Sequence, residues 1–249
     1  MKKGGELIMF ITKEMLVEKN FYKGDIKWFE EQFPNGGNCQ EVLDLSVKLD
    51  KLYFGEWVVQ RFGPMDTVLE VDELTSTHNI IFAGSIIVKG NINVTRSLIA
   101  GKDIKAGGDI KIGWDIEAGG AIIAGGDIYS FGVIDADGNI EAGGSIKAGY
   151  IITSDNDIKA GKGIESRACI DADGDINASG NIKADGIIIA GKSIKTGGDI
   201  ETTTGTIKAV LGIYARGDVK AKATPNNIVS GTFVFNNLDD KKGECSNYE

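Results

Sequence analysis

Proline is almost missing from this chain: 3 residues in 249, against 35 glycines. That ratio excludes a collagen-like chain, which needs proline and a glycine at every third place. Histidine occurs once, as His78, so a zinc site built on three histidines is excluded. Cys39, Cys169 and Cys245 are odd in number and far apart. They match neither a disulfide framework nor metal-ligand spacing, and they suit a reducing cytoplasm. The net charge of −9 is spread along the chain without a block of either sign. A basic face for a nucleic-acid backbone or an anionic membrane is therefore not expected. Long apolar runs are also lacking. Glu6 interrupts the start, MKKGGELIMFITKEM, so neither a signal peptide nor a membrane span is read there.

What the chain has instead is glycine and isoleucine in strict rhythm. Glycine stands at about twice its ordinary share of about 7%. Taking every sixth residue from Val68 to Ile200 gives 23 positions, all Val, Leu or Ile. Two places after each there is usually a small residue, as at Ala106, Ala118, Ala136 and Ala172. Residues i and i+2 share a face in a strand. The Gly-Gly-Asp that often follows suits a corner, where glycine tolerates positive φ. Each hexad thus reads as one short strand plus one corner.

So short a strand cannot bury its isoleucine alone, whereas stacked coils can. Three hexads make a triangular coil of 18 residues, and an 18-residue period is visible in Asp137, Asp155 and Asp173. It recurs in Val133, Ile151, Cys169 and Ile187. The predicted fold is mainly β, a triangular parallel β-helix over 68–223. A one-residue slip is expected after Thr202-Thr203-Thr204-Gly205. Residues 224–249 are read as a closing strand (228–235, after Pro225) and a frayed tail.

Residues 1–67 carry no hexads and most of the phenylalanines. GDIKWFEEQF (24–33) suits a short helix ended by Pro34. Asn38 with Glu41 resembles a capping box opening a helix near 39–52, and FGEWVVQRFG (54–63) makes a third helix or turn. Together they predict a small α-helical cap on the first coil, where strand edges and core would otherwise be open.

The segments ITKEML, GDIKWFEEQFP, CQEVLDL and WVVQRFG resemble a helical leader found before repeat regions in uncharacterised bacterial and phage proteins. The repeats AGGDIKIG and AGGSIKAG are similar to those of bactofilin-like and other polymer-forming β-helical proteins. That resemblance implies a right-handed helix and end-to-end assembly. Hexapeptide acyltransferases also use a six-residue repeat, in a left-handed helix, but often with Gly after the aliphatic residue. Here Lys, Glu, Asp or Asn usually stands there. Both hands stay open, with the right-handed one favoured.

Candidate sites follow from the 18-residue frame. One corner takes large side chains, Arg96, Trp114, Phe131, Tyr150 and Arg167, beside Val133, Ile151, Cys169 and Ile187. Another corner reads Gly107-Gly108, Gly125-Gly126 and Gly143-Gly144. Bulk confined to one outward ridge predicts either a protein-binding surface or a surface that the cap covers. Asp135, Asp137, Asp155, Asp171 and Asp173 are expected along one edge. There they would hold Ca²⁺ or a basic partner, or serve as ordinary turn residues screened by water. His78 is either the base of an acyltransferase or a surface residue. No nucleophile–base pair, phosphate loop or dinucleotide fingerprint occurs, because no helix follows the Gly-x-Gly strings.

The sequence therefore predicts a non-catalytic, cytoplasmic, cofactor-free module that binds a protein through the ridge. The leader resemblance suggests a phage-linked inhibitor or adaptor. The alternatives are a self-assembling scaffold of bactofilin type and a hexapeptide-type acyltransferase. Self-association into a homo-oligomer is expected, with no direct contact to nucleic acid or membrane.

Overall fold

A computed structural model describes residues 9–221, 228–230 and 234–236. The hexads form three parallel sheets of 10, 9 and 9 strands. We name them by their opening strands: the first face starts at Val68–Val71, the second at Leu74–Ser76 and the third at Ile80–Phe82. Each strand pairs with its equivalent 18 residues on. Ile110 lies over Ile92 and under Ile128, and Ile116 over Leu98 and under Ile134. Isoleucines thus stack in columns. Together with the alanines at i+2 they fill one continuous core in which nearly every isoleucine is fully buried. Residue i+1 faces outward from each strand.

The expected slip lies in the corner Thr203–Thr206, so that Ile200 pairs with Val219, 19 residues on. The start of the hexad count needs correction. Leu69, not Val68, pairs with Ile86, and Val68 is 54% exposed. Only Asp72 and Glu73 separate Val71 from Leu74, where three residues separate their partners Val88 and Ile92, so the first coil is one residue short. Residues 228–235, expected as one closing strand, hold two. Ile228–Ser230 extends the third face, and Val234–Asn236 extends the first. Pro225, Cys245 and the tail 239–249 lie outside the described residues.

The corner glycines also do different work from that expected. Among the described glycines only Gly36 and Gly63 have positive φ, and neither is in the solenoid. The corners need glycine for space. Asp109 Oδ1 accepts the backbone N–H of Asp127, one coil on, at 2.9 Å. Asn91 serves Asp109 at 2.8 Å in the same way, and Asp127 serves Ser145 at 2.7 Å. A second run climbs another corner, from Asp157 to Asp175 and from Asp175 to Ser193. A Cβ on Gly126 or Gly144 would collide with the carboxylate oxygen reaching up from below. The Asp of Gly-Gly-Asp is thus an inter-coil clip, and the second glycine is its clearance.

Before the solenoid, Phe10–Ile11 and Gly37–Asn38 form an antiparallel pair. Four helices accompany them: α1 (Lys13–Glu18), α2 (Lys23–Gln32), α3 (Cys39–Lys48) and α4 (Leu52–Phe62). Helix α1 and the strand pair were not anticipated. Asn38 caps α3 through the N–H of Gln40. Gly63, at φ +80°, ends α4. The helices pack against the third face at the first coils, and α3 borders the first coil's core side chains Leu69, Ile80 and Phe82. Ile81, Ala83 and Ile99 join their core of Leu16, Phe29, Leu43, Phe54 and Val58. Gln40 secures the contact, donating to the Ile81 carbonyl at 2.9 Å and accepting from the Ala83 N–H at 3.2 Å. The core side chains of the first coil, Leu69, Leu74, Ile80 and Phe82, remain only half-buried.

Candidate protein-binding ridge

The corner between the second and third faces carries the large side chains. It comprises residues 95–97, 113–115, 131–133, 149–151, 167–169 and 185–187, one set per coil. Trp114 is 51% exposed, Phe131 64% and Tyr150 57%, and Arg96 and Arg167 are exposed as well. Val133, Ile151, Cys169 and Ile187 are half-buried and form an apolar flank. The apolar core of the helices includes no ridge residue.

Local chemistry permits this bulk. Trp114 stands over Ser97, and Tyr150 over Val133; neither lower residue sends up a carboxylate. The Ser97 hydroxyl accepts the Asp115 N–H at a long 3.4 Å. Gly132, by contrast, stands over Asp115, which clips the Val133 N–H at 2.8 Å. Buried hydroxyls brace the corner from inside. Ser130 donates to the Trp114 carbonyl and Ser166 to that of Tyr150. The Arg96 guanidinium lies 5.1 Å from the Trp114 ring centroid, a cation–π distance. Tyr129, on the second face, meets Phe131 edge to face at 5.1 Å. Tyr129 extends the aromatic surface beyond the corner. Its place directly after Ile128 marks it as outward, the signal that sequence reading passed over.

The aspartates do not share one edge. Asp135 and Asp171 project from the third face in one row, with Thr153 between them. Asp137, Asp155 and Asp173 occupy the adjoining corner toward the first face. Among the described residues no three metal-ligating side chains converge. Asp135 is held above the usual carboxylate range by burial, then by Asp137 and Asp155. Asp171 is raised by burial and by Asp173.

A more enclosed acidic pocket lies where α4 leans on the third face. Glu56, Glu117, Asp135 and Asp137 line a cleft of about 180 Å³ there. Burial pushes the Glu117 carboxyl up to about 7, helped by Glu56, Asp135 and Asp115. His78 sits in the exposed turn before Ile80, with Nδ1 3.2 Å from Thr77 Oγ1. Cys39 is buried, which pushes its thiol up to about 12, and Cys169 is half-buried.

No family model, no curated protein and no solved structure matches this chain. The bactofilin-type and leader resemblances find no support in these comparisons. No helix among the described residues is long and apolar enough to cross a membrane.

Proposed function

We propose that the chain is a non-catalytic β-solenoid that holds a protein partner along the ridge of Arg96, Trp114, Phe131, Tyr150 and Arg167. The observation that carries this reading is the exposure of three aromatic side chains in successive coils, outside the core built by the helices. Aromatic and arginine side chains on a stiff support supply large contact area at small entropic cost, as binding hot spots do. Val133, Ile151 and Ile187 offer the apolar floor that a partner would dry out. An inhibitor or adaptor role, of the kind the leader resemblance suggests, is the form we favour, in a reducing cytoplasm that suits the unpaired Cys39 and Cys169.

The test is a photo-crosslinking amino acid placed at position 150 and, as a control, at position 143 on the glycine corner. A partner joined only from position 150, and lost in a Trp114→Ala/Phe131→Ala variant, supports the ridge. Equal capture from both positions rejects it.

A second reading, self-assembly through the open end, is favoured by one observation. Val68–Val71, Leu74–Ser76 and Ile80–Phe82 are terminal strands of their sheets, with core side chains half-buried. Light scattering on a sizing column separates the two readings. A constant particle mass favours the binding module, and mass growing with concentration favours the scaffold. The acyltransferase reading has nothing beyond His78 behind it.

A further inference from the structure

We propose that a cleft on the first face, near the far end of the stack from the helices, binds a phosphoryl oxyanion. The cleft has a volume of about 570 Å³ and is lined by Lys159, Asn177, Ser179, Lys195, Tyr214 and Arg216 around a floor of small residues. None of its lining residues is acidic. In a chain of net charge −9, three cations without a carboxylate between them are unusual company.

The sequence explains how they come to be so. On several other rungs a carboxylate meets the outward lysine, although Lys208, between Ile189 and Val229, has none among the described residues. Lys105 is held by Asp103 and Lys111 by Asp109, each two residues back in the chain. Lys147 and Lys183 meet Glu165 and Glu201 on the adjacent coil. At Lys195 the place two residues back is Ser193, and its neighbours across the coils are Asn177 and Tyr214. Behind Lys159 stands Asp157, but that carboxylate clips the Asp175 N–H and lies 3.9 Å from Lys192, and Glu141, the neighbour of Lys159 on the coil below, accepts from the Asn139 amide at 3.0 Å. Among the described residues Lys159, Lys195 and Arg216 have no ion pair. The Lys195 ammonium has only the Tyr214 ring, 5.7 Å away.

Register sets the spacing. Lys159 pairs with Asn177, and Asn177 with Lys195, so the two lysines stand two coils apart, about 10 Å along the rod. Their flexible stems can converge on an anion between them. The Asn177 amide can donate from the rung between, Ser179 can offer its hydroxyl, and Arg216 can close the side with a planar fork suited to phosphoryl oxygens. The span suits a diphosphate or a phosphate ester. Its source would be either a small phosphorylated metabolite or a phosphorylated side chain of another protein.

The test is calorimetric titration of the full chain at constant ionic strength, with inorganic pyrophosphate in one arm and O-phosphoserine in the other. Saturable one-to-one binding is expected, weakened about tenfold or more in Lys195→Ala/Arg216→Ala, with affinity recovered in Lys195→Arg. Lys183→Ala, which removes a lysine paired with Glu201, should change affinity less than about twofold. Tighter pyrophosphate assigns a metabolite, and tighter phosphoserine assigns a modified protein. Absence of saturable binding in both arms overturns the site, as does equal affinity in the double variant and the wild type. The wild-type arm alone keeps the proposal falsifiable should a variant fold poorly.

Discussion

Asp109 and Asp127 stand one above the other on successive coils, and the side-chain oxygen of the lower accepts the backbone N–H of the upper at 2.9 Å. Gly126 is the clearance for that bond. Gly126→Ala should therefore cost more than Asp109→Ala. The alanine collides with the clip, whereas deleting the carboxylate forfeits one hydrogen bond, about 1 kcal/mol. A cost of about 2 kcal/mol is expected for the glycine change, and urea denaturation of the two variants checks the order.

Ile134 is fully buried between Ile116 and Ile152 in a column with no slack. Ile134→Ala should lose about 2–5 kcal/mol. Trp114→Ala, one coil earlier on the ridge, should lose about 0.5 kcal/mol or less, since the indole is half in solvent. Similar losses for both would mean that the ridge packs rather than displays.

Glu117 gives a pH dependence of definite sign. Its carboxyl is pushed up to about 7 from an ordinary value of 4.5. Between those values the folded chain holds a proton that the unfolded chain has released. This contribution to stability is therefore greatest below 4.5, falls as pH rises, and is lost above 7. Asp103 and Asp109 oppose it at lower pH. Lysine partners and backbone N–H groups hold both below the usual range, so their stabilisation is lost on acidification. Melting temperature measured from pH 4 to 8 should decline between about 4.5 and 7 and level off above that. Glu117→Gln should flatten the decline, and an unchanged slope would show that the pocket under α4 is too wet to matter.

Asn156 stands over Asn139, where most other clipped corners have glycine, Arg96 over Asn79 and Lys192 over Asp175 being exceptions. The bond beneath it, from the Asp157 N–H to Asn139 Oδ1, is stretched to 3.3 Å, against 2.8 Å for the next bond up the same corner. Asn156→Gly should relax that corner. Amide exchange at Asp157 should slow relative to wild type. Unchanged or faster exchange would mean that clearance does not limit the clip.

The period of six made the coil, the three faces and the outward ridge legible, because burial of Ile104, Ile110 and Ile116 depends only on spacing. Tyr150 and Phe131 could be placed on one corner for the same reason. The role of Asp109 was not legible. A turn carboxylate and an inter-coil clip have the same composition, and only the coordinates bring Asp127 within reach. The position of α4 was hidden for a related reason. Ile81 and Ile99 sit at i+1 places that are polar in most hexads, a sign of outward apolar rungs that the inward column outshone. Val68 misled because the first coil lacks one residue, so an aliphatic residue in phase with the period points out of the core.

The equivalence of coils makes length a discrete variable. Because Ile104 meets Ile122 as Ile122 meets Ile140, removal of one 18-residue turn would rejoin surfaces that already match. The axial distance between any two features on the rod, such as Trp114 and Lys195, can therefore change only in whole steps of about 4.8 Å. Change by duplication or loss of a turn would move them apart or together along the axis without remaking either, so that distance between functions is something this chain can count.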